Sequence, residues 1–117
     1  MIIPYQSHYN VFQASVKLID QQLTKPLSIS NLAAQQGTST RILQYAFQKN
    51  IGLTPLQYVL LRKLHAARAE LQQSSPNTYV NVSHVAMLYS MTHLGRFSLK
   101  YKNLFGELPS NTLKKSR

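Results

Sequence analysis

The chain has no cysteine, which excludes disulfides and thiolate metal sites. Acidic residues are nearly absent: Asp20, Glu70 and Glu107 stand against 13 Lys+Arg, a formal charge of +10. These three carboxylates and four scattered histidines, His8, His65, His84 and His93, offer neither metal-ligand spacing nor a converging acid–base set. No catalytic residue, metal or cofactor is therefore expected. Long apolar runs are missing too. The longest strictly aliphatic stretch, Val59-Leu60-Leu61, is cut off by Arg62-Lys63, so nothing here is long enough to span a bilayer. The N-terminus has no basic region ahead of an apolar one, and Pro4, Gln6, His8 and Asn10 interrupt it, so no secretory signal is read and a cytoplasmic protein is expected.

What is present is enough apolar material, 44% of 117 residues, for one compact unit or two very small ones. A basic surface kept only for solubility would intersperse acidic residues, and these are scarce. The charge points to a polyanionic partner, nucleic acid before an anionic membrane surface.

The pattern is helical throughout. Thr54 to about Gln73 reads as one long helix, with Thr54 as N-cap, Pro55 at the first position and Gln57 completing a capping box. Leu56, Leu60, Leu64, Ala67 and Leu71 form its apolar stripe, Arg62, Lys63 and Arg68 lie on other faces, and Ser74-Ser75-Pro76-Asn77 ends it. Before it, His8 to Leu23 is an amphipathic helix through Phe12, Val16, Ile19 and Leu23, widened by Val11, Ala14 and Leu18 and stopped by Lys25-Pro26. A short helix follows from cap Ser28 to Gly37, then a second one capped by Ser39, with Leu43, Ala46 and Phe47 inward and Ile51-Gly52 at its end. Two short helices around a tight turn, with small Ala33 and Ala34 at their approach, outline a helix-turn-helix.

After the long helix the same order of residue types returns. Asn81 stands for Ser28, Val82 for Ile29, Val85 for Leu32, Ala86 for Ala33 and Ser90 for Gly37. Beyond one extra turn residue, Phe97 matches Leu43, Tyr101 Phe47, Phe105 Ile51, Gly106 Gly52 and Pro109 Pro55. A short last helix is predicted around Ser110 to Leu113, with a frayed basic end at Lys114-Lys115-Ser116-Arg117. The expected fold is all-α with about seven helices: a tail or linker remnant at 1–7, a first helix-turn-helix at 8–53, the connecting helix at 54–73 and a second helix-turn-helix at 74–117.

In such a motif the second helix presents polar residues to base edges in the major groove. The first copy offers Arg41, Gln44, Tyr45 and Gln48; Arg can pair with guanine and Gln with adenine. In the second copy Thr92 is expected to cap the helix, and Leu94, Gly95, Arg96 and Lys100 are the candidate base contacts. Leu94 could touch only a thymine methyl or sugar carbons, or pack on its partner helix, and Gly95 would let the backbone approach closely. Backbone phosphates would meet Ser39, Thr40, Lys49, Arg62, Lys63, Thr92, Ser98 and Lys102. The competing reading is a basic helical module for RNA or a protein, but the exposed aromatics on a sheet or the clamp loop typical of RNA modules do not appear.

These residues resemble the DNA-binding domain of the AraC/XylS family of bacterial transcription regulators, over about His8 to Leu113. The resemblance rests on Leu-Ser-Ile-Ser-Asn-Leu-Ala-Ala from Leu27, the Gly37 to Gly52 unit, Thr54-Pro55-Leu56-Gln57-Tyr58, and Arg96-Phe97 through Phe105-Gly106-Glu107-Leu108-Pro109. His93-Leu94-Gly95-Arg96-Phe97 looks like the subset that includes regulators of aromatic-compound catabolism. The resemblance implies two helix-turn-helices on successive major grooves of double-stranded DNA, with base contacts at Arg41, Gln44, Tyr45, Leu94, Gly95 and Arg96. RNA polymerase is a further candidate partner, as is a separate N-terminal effector or dimerisation domain. The linker-like Met1 to Ser7 favours an isolated domain over a short stand-alone regulator. Ser90 replaces the usual second-turn glycine and Met91 an aromatic, which predicts a less rigid or reoriented second unit. The connecting helix, roughly 27–30 Å long at 1.5 Å per residue, would act as a ruler against the ~34 Å repeat of DNA.

Overall fold

Side-chain caps decide where most helices begin. The computed structural model describes residues 7–76 and 80–117; among them lie seven helices and no strand. These are α1 (His8–Asp20), α2 (Ile29–Gln35), α3 (Thr40–Ile51), α4 (Pro55–Gln72), α5 (Val82–Leu88), α6 (Leu94–Phe105) and α7 (Pro109–Ser116). Ser28, Ser39 and Asn81 accept hydrogen bonds from Asn31, Ile42 and His84 amides, each satisfying a donor the helix leaves free and each worth about 1 kcal/mol. The capping box before α4 is reciprocal: Gln57 N–H donates to Thr54 Oγ1 (3.1 Å) and Thr54 N–H to Gln57 Oε1 (2.9 Å). Ser7, assigned from sequence to a tail, instead caps α1 by accepting from the Asn10 amide. Otherwise the 1–7 assignment, and Asn77 of the breaker cluster, lie outside the described residues.

The chain divides into two compact units, one reaching Leu23 and resuming over Leu27–Leu61, the other comprising Thr24–Pro26 and Arg62–Arg117. α4 contributes to both.

In the first unit α1 and α2 both pack on α3. Its core is Val11, Ile19, Leu32, Ala33, Leu43, Ala46, Phe47 and Val59, with Phe12 edge-on to Phe47 at 5.1 Å. α1 ends at Asp20 rather than Leu23, and its buried centre line runs through Val11, Ser15 and Ile19. Phe12 and Val16 flank that line, one residue round from it. Ser15 survives burial because its hydroxyl donates to Val11 O (2.6 Å) and accepts from Gln36 Nε2. α4 departs from its expected stripe at its first turn, while Leu64, Ala67 and Leu71 are buried as expected. Leu56, placed in the apolar stripe, is 63% exposed, while Pro55 and Val59 are buried in its stead.

In the second unit α5 packs on α6 and α7, and α6 on α7. Leu64, Ala67, Leu71, Val85, Ala86, Phe97 and Tyr101 are buried. Tyr101 donates its hydroxyl to Thr112 Oγ1 (2.7 Å) and stacks at a tilt on Phe105, over which the Arg68 guanidinium lies at 4.6 Å. α7 is longer than the Ser110–Leu113 expected, and its basic end is anchored rather than frayed. Ser116 donates to Leu71 O and Leu113 O, and Arg117 to Val80 O.

Thr24–Pro26 is held in this second unit by two side chains. Lys63, 6% exposed, donates its ammonium to Lys25 O (2.9 Å) and Tyr89 O (2.8 Å), and Ser90 Oγ donates to Thr24 O (2.8 Å). Burial holds the Lys63 ammonium below the usual lysine pKa.

Candidate nucleic-acid interface

Each unit contains one two-helix turn, and the two turns share their hydrogen bonding. After α2, Gly37 N–H donates to Ala34 O and Thr38 N–H to Ala33 O. After α5, Ser90 N–H donates to Met87 O and Met91 N–H to Ala86 O. Gly37 and Ser90 both have left-handed backbones, φ +66° and +59°. Serine has thus taken the conformation of the glycine it replaces. The repeat continues through helices of equal length, α3 and α6, to left-handed Gly52 and Gly106.

Burial of one side of α3 leaves the other for a partner. With Leu43, Ala46 and Phe47 inward, Thr40, Arg41, Gln44, Tyr45, Gln48 and Lys49 are exposed. Arg41, Gln44 and Gln48 have no side-chain hydrogen bond or ion pair among the described residues, so their donors and acceptors are free. Tyr45 is half-exposed and takes the His8 ring edge-on at 4.6 Å, which fixes the base of an otherwise projecting phenol. Ser39 accepts from Ile42 N–H as the cap, and its own proton remains to be donated outward.

α6 presents Leu94, Gly95, Arg96, Lys100 and Lys102, all exposed, with Phe97 and Tyr101 inward and Ser98 partly covered. The cap is not Thr92. His93 accepts through Nδ1 from the Arg96 amide (3.1 Å), so α6 starts at Leu94 and Thr92 lies exposed outside it. Leu94, 43% exposed, belongs to the outer face rather than to the packing contact.

Lys63 does not fit the phosphate-contact expectation: its ammonium is buried and engaged by two carbonyls. Its neighbour Arg62 is only partly exposed. Sequence reasoning also passed over Ile42 and Leu99, exposed by 40% and 61% on the two outer faces. The repeat itself held the signal for both. The register that pairs Phe97 with Leu43 also pairs Leu99 with Tyr45 and Ile42 with Arg96, residues already chosen.

Among the described residues no histidine and acidic cluster could hold a metal, and no helix is long and apolar enough to cross a membrane. A family model described as a helix-turn-helix domain matches residues 32–115. The XylDLEGF operon transcriptional activator 2 of Pseudomonas putida is 41% identical over 103 residues, covering 87% of this chain and 64% of that protein. A second XylDLEGF operon transcriptional activator of the same organism is 38% identical over 106 residues, covering 91% of this chain and 33% of its own length. A probable AraC family transcriptional regulator from Rhodopseudomonas palustris CGA009 superposes with a TM-score of 0.85 at 30% identity, covering 92% of this chain and 98% of that one. The chain thus spans less than two-thirds of the length of these Pseudomonas relatives.

Proposed function

Because the chain belongs to the AraC/XylS family of helix-turn-helix transcription regulators, we propose that it binds double-stranded DNA sequence-specifically through α3 and α6. The observation that carries this reading is the pair of matched turns, each delivering a capped helix with cationic side chains exposed on its outer face, on a chain of charge +10. Arg41, Gln44, Tyr45 and Gln48 in one unit, and Leu94, Gly95, Arg96 and Lys100 in the other, are assigned to base edges. Ser39, Thr40, Lys49, Arg62, Thr92, Ser98 and Lys102 are assigned to the phosphate backbone. Lys63 is withdrawn from that set. The reading assigns no catalysis and a cytoplasmic site of action. An effector or dimerisation domain elsewhere in a longer protein, and RNA polymerase, complete the regulator role it proposes.

The test is selection of bound duplexes from random sequence, repeated with Arg41→Ala and Arg96→Ala. Each substitution is expected to relax preference at its own positions, separated by about one helical turn, with about 1–3 kcal/mol of discrimination lost. Even weakening across all sequences would reduce both arginines to phosphate contacts. With about six to ten phosphates engaged, log K falls against log salt with a slope of about −5 to −9, and a slope near zero would refute nucleic-acid binding.

A further inference from the structure

At the start of α6 a histidine does the work that serine does at the start of α3. His93 Nδ1 accepts the Arg96 backbone N–H at 3.1 Å. A backbone amide can only donate, so Nδ1 carries no proton, and the neutral ring's single N–H lies at Nε2. The side chain is exposed. A Cβ at Gly95 would meet His93 Cε1 at 3.4 Å, an ordinary van der Waals contact, so the ring lies directly over the first turn of the helix. A glycine inside the first turn weakens a helix by about 1 kcal/mol relative to alanine. The cap thus fixes both the tautomer and the setting of the ring.

We infer that His93 is a further DNA-contacting residue, whose capped imidazole presents Nε2–H to an acceptor on the duplex, either a phosphate oxygen or the N7/O6 edge of a purine. This rests on the duplex-binding reading above. Cap and contact are separated by His93→Ser, which installs the residue that caps α3 but has no group reaching as far as Nε2. His93→Ser is expected to lower affinity for the selected duplex about ten- to a hundredfold, the range for one hydrogen bond to a charged acceptor. A loss spread evenly over sequences identifies the acceptor as phosphate, and a loss confined to one base position identifies a purine edge. Independently, imidazole ¹⁵N spectra of the wild-type chain at mildly alkaline pH are expected to show a bare Nδ1, and an Nε2–H resonance that moves when the duplex is added. Unchanged affinity and preference in His93→Ser, or an Nε2 resonance indifferent to the duplex, would overturn the inference and leave His93 a cap alone. If the wild-type chain itself fails to prefer its selected duplex over random DNA, the duplex reading falls and this contact with it.

Discussion

At the turn after α2 stands Gly37 with φ +66°, and at the turn after α5 stands Ser90 with φ +59°. The same contrast runs through both units. The first is organised around Phe47, packed against Phe12 and Tyr58, with one buried serine serviced by Gln36. The second has Tyr101 where the first has Phe47, and Tyr101 donates to Thr112. It adds a buried ammonium on two carbonyls and a Tyr89 hydroxyl on Glu70 (3.1 Å). One motif can thus be held by apolar packing or by a set of satisfied polar groups. The two solutions differ in vulnerability, since losing a methyl leaves a small cavity whereas losing a polar partner strands whatever it satisfied.

Lys63→Ala is therefore expected to have the largest effect. It strands the carbonyls of Lys25 and Tyr89 and opens space beneath them, costing about 2–4 kcal/mol of stability in urea unfolding. A loss under about 1 kcal/mol would mean that water replaces the ammonium and that the second unit depends less on its polar interior.

Alkali is the next probe. Burial first, then the hydrogen bond and negative charge of Glu70, push Tyr89 from 10.0 up to about 12. Between those values the unfolded tyrosine has given up its proton while the folded one keeps it. The unfolded state then binds fewer protons, and stability falls as pH rises through this window. Burial also raises Tyr101, which adds in the same direction. Lys63 acts oppositely: its lowered pKa means that the folded state releases its proton first, so stability rises as pH approaches 10.5 from below. Tyr89→Phe is expected to flatten the decline between pH 10 and about 12. An unchanged slope would assign that decline to other groups.

Tyr101→Phe converts the second unit's central ring to the first unit's residue. The Thr112 hydroxyl, only 3% exposed, then loses its partner, and a loss of about 1–2 kcal/mol is expected in thermal or urea unfolding. Phe47→Tyr makes the reverse exchange, placing a hydroxyl in a core of aliphatic and aromatic groups, and is expected to cost at least as much. If Tyr101→Phe were neutral, the two units would differ in composition but not in what stabilises them.

Much of this contrast was not legible in the sequence, for identifiable reasons. Repetition exposed both turns, both inner faces and the closing glycines, because those positions are set by local backbone demands that recur with the motif. The outer face of α3 followed directly from the burial of Leu43, Ala46 and Phe47. Lys63 was misread because periodicity gives a residue's side of a helix, not what covers that side; its cover is Thr24–Pro26, nearly forty positions away. Leu56 was misplaced because the start of α4 buries Pro55 and Val59, one residue round from the line that Leu64, Ala67 and Leu71 follow further along. The α6 cap was missed because threonine outranks histidine as a cap by propensity, while the Nδ1 contact with the Arg96 amide depends on ring placement.

The smallest effect isolates the turn itself. At Gly37 a Cβ would meet nothing within 4 Å, so Gly37→Ser should cost only the left-handed backbone, about 1–2 kcal/mol. Ser90 already bears that cost and recovers part of it through its hydrogen bond to Thr24 O, worth about 0.5–1.5 kcal/mol. Ser90→Gly removes both terms, so its stability should stay within about 0.5 kcal/mol of wild type, offset further by glycine's greater unfolded-state freedom. Ser90→Ala keeps the strain and loses the bond, for a loss of about 1 kcal/mol. The separation between the two Ser90 variants in parallel urea titrations is the measurement. If Ser90→Gly lost as much as Ser90→Ala, the positive φ at Ser90 would carry no strain to relieve, and the exchange of glycine for serine would be a matter of the Thr24 contact alone.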